Sequence, residues 1–318
     1  MALPTNAFAT YESIGNREDL ADVIYNVSPT ETPILSSLER TKASAVNHEW
    51  QTDSLATADS GNAVLEGDDA TTDAATPTVR LGNIAQISDK VARVTGTQEV
   101  INKAGRDSEM DYQRVKKGKE LKIDMETILF GTNQAKASGS DGVARTLGSI
   151  LSWIKTNTSK GVAGGAADPS TATGANTRTD GTQIAFTEAR LKAAISAAWT
   201  SGGKPSALYC GAFNKQAFST FTGRATPMED TKAKKIIASV DVYESDFGSL
   251  TVTPCRNIRA RDILGLQTDM WAIAFLRNMV TNDLAVTGDS RRKQILTEYT
   301  LEARNEKSSF GVFDNTTS

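Results

Sequence analysis

From Ala43 to Val79 the chain has no lysine or arginine, while Asp59, Glu66, Asp68, Asp69 and Asp73 all fall inside that stretch. Val46-Asn-His48-Glu-Trp50-Gln-Thr52 alternates as a β-strand, and Val79-Arg-Leu81 with Ile84 through Val94 reads as the strand that returns. The residues between are mostly Ala, Thr, Asp and Gly. A long acidic tip joining two strands cannot bury a core of its own. It must stay disordered or lie on a partner. Residues 44–97 therefore read as a protruding hairpin.

The flanking segments fit around this arm. Residues 1–42 read as an extended arm with one short helix. Asn16 caps that helix and Glu18 and Asp19 fill its first turn; Ser28-Pro29-Thr-Glu31-Thr-Pro33 stops it. Ile34, Leu35 and Leu38 form a small apolar plug. Residues 107–130 are the clearest helix. Gly118, Leu121, Met125, Ile128 and Leu129 fall at three- and four-residue spacing; Asp107 and Ser108 supply the cap and Gly131 the stop. Its other face carries Arg114, Lys116, Lys117, Lys119, Glu120, Lys122 and Glu126, with Lys116–Glu120 and Lys122–Glu126 spaced to pair.

Residues 155–185 read as a surface loop or an elaborated hairpin. A helix from Thr187 to Trp199 follows, buried along Leu191, Ala194, Ile195 and Ala198 and stopped by Gly202-Gly203. Ser206–Cys210 is a short strand, and Asn214 is expected to cap a helix carrying Phe218 and Phe221. Ile236, Ala238, Val240 and Val242 alternate, turn at Asp246-Phe247-Gly248, and return through Leu250 and Val252. Met270–Leu276 is apolar on both faces and reads as a central strand. In the last strand Ile295, Thr297, Tyr299, Leu301 and Ala303 face one way; Glu298, Thr300, Glu302 and Arg304 face the other.

The residue inventory argues against an enzyme. His48 is the only histidine and sits in an alternating strand beside Trp50, with no nucleophile signature elsewhere. Cys210 and Cys255 form no CxxC motif, and one histidine with two isolated thiols gives no zinc spacing, so no metal or cofactor is expected. Gly67-Asp68-Asp69 lacks the twelve-residue calcium-loop pattern. Asp246-Phe247-Gly248 has no accompanying phosphate loop and is a hairpin turn. No window is long and apolar enough for a membrane span. The net charge of −3 does not hold the chain on nucleic acid by bulk electrostatics. Basic clusters at Lys232–Lys235, at Arg256, Arg259 and Arg261, and at Arg291, Arg292 and Lys293 lack interleaved aromatics. They leave two readings open, packaged DNA or a neighbour's acidic arm.

The order of these features resembles a known family. Ser28-Pro29-Thr30-Glu31-Thr32-Pro33, the loop opening at His48-Glu49-Trp50, the charged helix, Trp199-Thr-Ser-Gly202-Gly203-Lys-Pro205, and Gly288-Asp289-Ser290 through Asn305-Glu306-Lys307 stand in sequence. Together they resemble the major capsid proteins typified by the podophage SU-ten, a branch of the Hong-Kong-phage capsid fold. The resemblance implies an α+β tailed-phage capsid fold: an N-arm (1–45), an extended β-hairpin loop (46–97), a peripheral domain with a long spine helix (98–139), an axial domain (140–250), and C-terminal strands returning to the peripheral domain (251–318).

It also implies a structural protein of the virion. Pentamers and hexamers would form an icosahedral shell around double-stranded DNA, with a portal and with scaffolding or decoration proteins as partners, assembled in the bacterial cytoplasm without a membrane. The loop has no lysine between Ala43 and Val79, so no covalent cross-link is expected from it. The arm starts at Met1, so any scaffolding protein is expected to be separate. Candidate subunit-interface residues are Glu66, Asp68, Asp69 and Asp73 on the loop, and Arg114, Lys116, Lys117, Arg291, Arg292 and Lys293 as basic surfaces. A phage tail or decoration protein, or an α/β ligand-binding or hydrolase domain, is the alternative.

Overall fold

The computed structural model describes residues 30–70, 72, 75–103, 105–221 and 241–317. The helix expected from Asn16, the Ser28-Pro29 pair, Asp73, the Lys232–Lys235 cluster and the alternation from Ile236 to Val240 lie outside them.

Thr32 precedes Pro33, which sits in the first turn of α1 (Pro33–Ser37), where its missing N–H costs nothing. Ile34, Leu35 and the following Leu38 are buried, so this segment is an anchor. β1 (Glu39–Lys42) follows, then β2 (Asn47–Thr52), β3 (Val79–Ile84) and β4 (Gln86–Thr95). The returning strand expected from Val79 to Val94 is therefore two strands. The break is at Ala85, whose N–H donates to Val46 O at 2.7 Å and whose carbonyl accepts from Arg145 Nε at 2.8 Å. β3 pairs with β2, whereas β4 leaves the hairpin and pairs with β11 (Ser290–Ala303).

After α2 (Gly96–Val100), the long helix α3 (Glu109–Glu126) runs on into a π-turn, Thr127–Gly131. Ser108 caps it as expected, its Oγ accepting from Asp111 N at 3.2 Å. Glu99 adds a second cap by accepting from the backbone N–H groups of Glu109 and Met110, which places a carboxylate at the positive end of the helix. Leu121, Met125 and Leu129 are buried. Two expectations for the charged face are corrected. Glu120 pairs with Lys117 at 2.7 Å, not with Lys116. Glu126 is fully buried and takes hydrogen bonds from Leu35 N, Cys255 Sγ and Asn257 Nδ2, so it ties α1 and the 255–257 loop to the helix rather than pairing with Lys122. Burial raises its pKa, and those donors offset only part of that cost.

β5 (Thr158–Ser159), α4 (Glu188–Thr200), β6 (Ala207–Cys210), α5 (Ala212–Ser219), β7 (Val242–Ser245), β8 (Gly248–Pro254) and β9 (Ile263–Leu266) follow. α4 buries the expected Leu191, Ala194, Ile195 and Ala198 under a Thr187 cap. Asn214 does not cap α5. Gly211 does, while Asn214 lies inside the helix, buried, with its Nδ2 donating to Ala260 O at 2.7 Å. The chain then forms β10 (Trp271–Asp283), β11 and β12 (Phe310–Val312).

Two main sheets result. The first has the order β1-β10-β11-β4, with β1 parallel to β10 and the rest antiparallel. The second has the order β5-β12-β9-β6-β8-β7. α4 and α5 cover one face of the second sheet through Leu208, Cys210, Val252 and Ile263. Tyr209, Leu264 and Leu266 on its other face join a larger core with α1, α3, Trp153, Trp271 and Leu301. β10 is interior, as the two-faced apolar run Met270–Leu276 predicts, and β-bulges interrupt its pairing with β11 around Arg277. No described helix is long and apolar enough to cross a membrane.

Candidate assembly surfaces

The hairpin β2–β3 stands on a buried root. Asn83 is fully buried and uses its whole amide: Nδ2 donates to Gly148 O (3.0 Å) and Leu301 O (2.9 Å), and Oδ1 accepts from Gly148 N (2.8 Å) and Ile84 N (2.9 Å). Trp50 Nε1 donates to Ala303 O at 2.9 Å, and its ring lies 5.5 Å from that of Trp153. His48 Nε2 sits 3.2 Å from Glu302 Oε2, so the single histidine has the structural role expected of it. Lys136 Nζ donates to Gly82 O.

Glu302 is the centre of this root. His48 first, then Arg304 Nε (3.0 Å) and Thr41 Oγ1 (3.0 Å), hold its pKa down to about 2 against the cost of burial. Glu298, further back on the same strand and also buried, is paired with Arg145 and with Arg277 Nε at 2.8 Å. The charged face expected of β11 is thus a sealed one between Thr297 and Ala303, where both faces are covered. The sequence signal was present: two glutamates on a strand of otherwise core-like residues require internal cations.

Beyond the root the loop is bare. Every described residue from Asp53 to Thr78 is exposed, including Leu55, Val64 and Leu65 at 99%, 84% and 79%. Glu66, Asp68 and Asp69 form no ion pair among the described residues; Asp68 only accepts from Asp69 N at 3.0 Å. Asp73 lies outside the described residues.

The basic candidates are elsewhere. Arg114 is exposed and reaches Asp111 at 3.5 Å, Lys116 is exposed with no described partner, and Lys117 is taken by Glu120. Arg291 is exposed beside Glu99 around a small cavity of about 170 Å³. Arg292 Nη2 donates to Ala285 O at 2.9 Å, and Lys293 lies 3.6 Å from Asp283. Among the described residues of one subunit the acidic and basic candidates are not brought together. Arg259 and Arg261, in the cluster left open to packaged DNA or a neighbour's acidic arm, are engaged within the subunit: they bind Asp180, Asp262 and Asp314. Arg256 remains exposed. The buried thiols Cys210 and Cys255 have their pKa pushed up by desolvation to about 11 and about 12, which makes them inert. No cluster of metal-ligating side chains occurs among the described residues.

This architecture, with an exposed arm on a rigid root and no reactive centre among the described residues, has counterparts among known proteins. A family model described as SU10 major capsid protein matches residues 3–317. A major capsid protein of Escherichia phage Phieco32 is 40% identical over 130 residues, 41% of this chain; the match spans 37% of that relative's length. The fold is similar to a subunit in the capsid of a native GTA particle, with TM-score 0.64 and 12% identity over 96% of this chain and 98% of the other. It is similar also to a chain of Gordonia phage Cozz, with TM-score 0.61 and 8% identity over 98% and 96%.

Proposed function

Because the chain belongs to the SU10 major capsid protein family, we propose that it forms pentamers and hexamers that close into an icosahedral shell around phage double-stranded DNA, with residues 53–78 of each copy laid on a neighbour. The observation that carries this reading is the unpartnered loop. It is acidic and partly apolar, projects from a buried root, and touches no basic group of its own subunit among the described residues. A neighbour's Lys116 and Arg114, or its Arg291, offers the missing charge. Each such contact is weak, but closed symmetry repeats it over the shell, so modest interfaces accumulate.

In this reading residues 1–45 are an arm, 46–97 include the extended loop, 98–139 and the strands after 251 form the peripheral domain, and 140–250 the axial domain. A portal, any scaffolding or decoration protein, and non-specific DNA contact are the further partners, with assembly in the host cytoplasm. Reversal of both Asp68 and Asp69 to Lys tests the loop contact. The subunit should fold and stay soluble, and shells should fall at least several-fold by electron microscopy and sedimentation. Normal particle yield from that variant would sink the loop's role.

A further inference from the structure

Asp262 is fully buried, and neither of its carboxylate oxygens accepts a hydrogen bond among the described residues. It belongs to a charged cluster in which three segments meet: the strip 160–182, the turn 259–262 and the C-terminal tail 313–315. Arg259 joins Asp180 to Asp262, and Arg261 joins Asp180 to Asp314. Asp314 in turn accepts from Gly161 N at 3.1 Å and from Gly181 N at 2.9 Å. The Arg178 guanidinium lies 3.4 Å from the centre of the Phe313 ring. The strip has no apolar anchor of its own to hold it there. Its one branched apolar residue, Val162, is 98% exposed, and only Gly161, Pro169, Gly174 and Arg178 of the strip are buried. Polar contacts therefore decide whether it stays down.

Asp262 is the weak member of the cluster, because the cations are engaged elsewhere. Lys160 and Arg178 bind Asp168, Arg259 and Arg261 bind Asp180, and Arg261 binds Asp314. Arg190 of α4 donates to Asn315 Oδ1 and Phe313 O. Asp262 keeps only Arg259 Nε at 3.1 Å, near enough for an ion pair but not aligned as a hydrogen bond. A charged carboxylate in that setting is costly, and a proton removes the cost. Burial first, with Asp180 adding to it, pushes the Asp262 carboxyl up to about 7 against the pull of Arg259, Arg178 and Arg261. We propose that Asp262 is a proton-operated latch on the 160–182 strip: with the proton on its carboxyl the strip is held against the 259–262 turn and the tail, and loss of that proton favours lifting it. The closed form keeps the proton up to about pH 7, whereas a lifted strip admits water and returns the group to its ordinary 3.8. The advantage of closure is complete below 3.8 and is lost as pH rises through about 7.

The latch is independent of shell formation and is read on the unassembled full-length subunit by amide hydrogen exchange. The N–H groups of Gly161 and Gly181, which bind Asp314, report on the strip. Their protection, corrected for intrinsic exchange, should fall at least about ten-fold between about pH 5.5 and about pH 8. Asp262→Asn keeps the neutral shape and should hold that protection near its acid level throughout. In the natural chain the Asp262 carboxyl carbon, followed by NMR, should titrate between about pH 6 and about pH 8. A carboxyl that titrates below about pH 5 would overturn the latch whatever the variant does. Protection that does not change with pH in the natural chain, or a pH dependence that survives undiminished in the Asp262→Asn chain, would overturn it as well.

Discussion

The root and the tip of the β2–β3 hairpin differ as sharply as any two regions of the molecule. At the root, Asn83 satisfies four hydrogen bonds in complete burial, and Glu302 gathers His48, Arg304 and Thr41. From Asp53 to Thr78 every described residue is exposed. The same hairpin therefore draws its position from its own subunit and leaves its tip for something else. Stability resides in the root and, on the proposed reading, assembly in the tip, so a substitution in one should leave the other alone.

The strongest test of that separation is Asn83→Ala. It strands the Gly148 and Ile84 amides and two carbonyls in the interior, and should cost about 3 kcal/mol or more, read as a lowered denaturation midpoint of the unassembled subunit. Glu302→Gln should have a smaller effect that depends on pH. The folded carboxyl titrates near 2 and the free one near 4.5, so its contribution is complete above about 4.5 and is lost as pH falls toward 2. Urea titrations should show the natural chain losing ~1–3 kcal/mol across that window, and the Gln variant losing much less. The smallest effect belongs to the tip. Asp68→Lys with Asp69→Lys should move subunit stability by less than ~0.5 kcal/mol while it impairs shells. A tip variant that unfolds the subunit would erase the comparison.

Much of the helical framework was legible from spacing alone. α4 buries the four residues its periodicity names, because a stripe at three- and four-residue intervals can face a core in only one way. The bare loop was legible too, because its composition leaves it nothing to bury. The misses share a cause. Glu126, Glu298 and Glu302 look solvent-facing in sequence because a glutamate does not announce its partner, and here the partners come from Leu35, Arg145 and His48, far along the chain. Asn214 has the chemistry of a helix cap, but Ala260 O claims its amide. The break at Ala85 was hidden because β3 and β4 are one continuous extended run whose two halves pair with different sheets. Of the interface residues, Glu66, Asp68 and Asp69 were readable as exposed. Which basic surface receives it is a property of two subunits, and one sequence does not encode their relative placement locally.

The strand order has a consequence for timing. β11 lies inside the first sheet, between β10 and β4, and β12 lies inside the second, between β5 and β9. Both are among the last described segments to leave the ribosome. Neither sheet can close until residues 290–312 have been synthesised, so a nascent or truncated chain cannot present a finished subunit. A chain cut short of these residues therefore lacks an interior strand of each sheet, and both sheets must form late in synthesis.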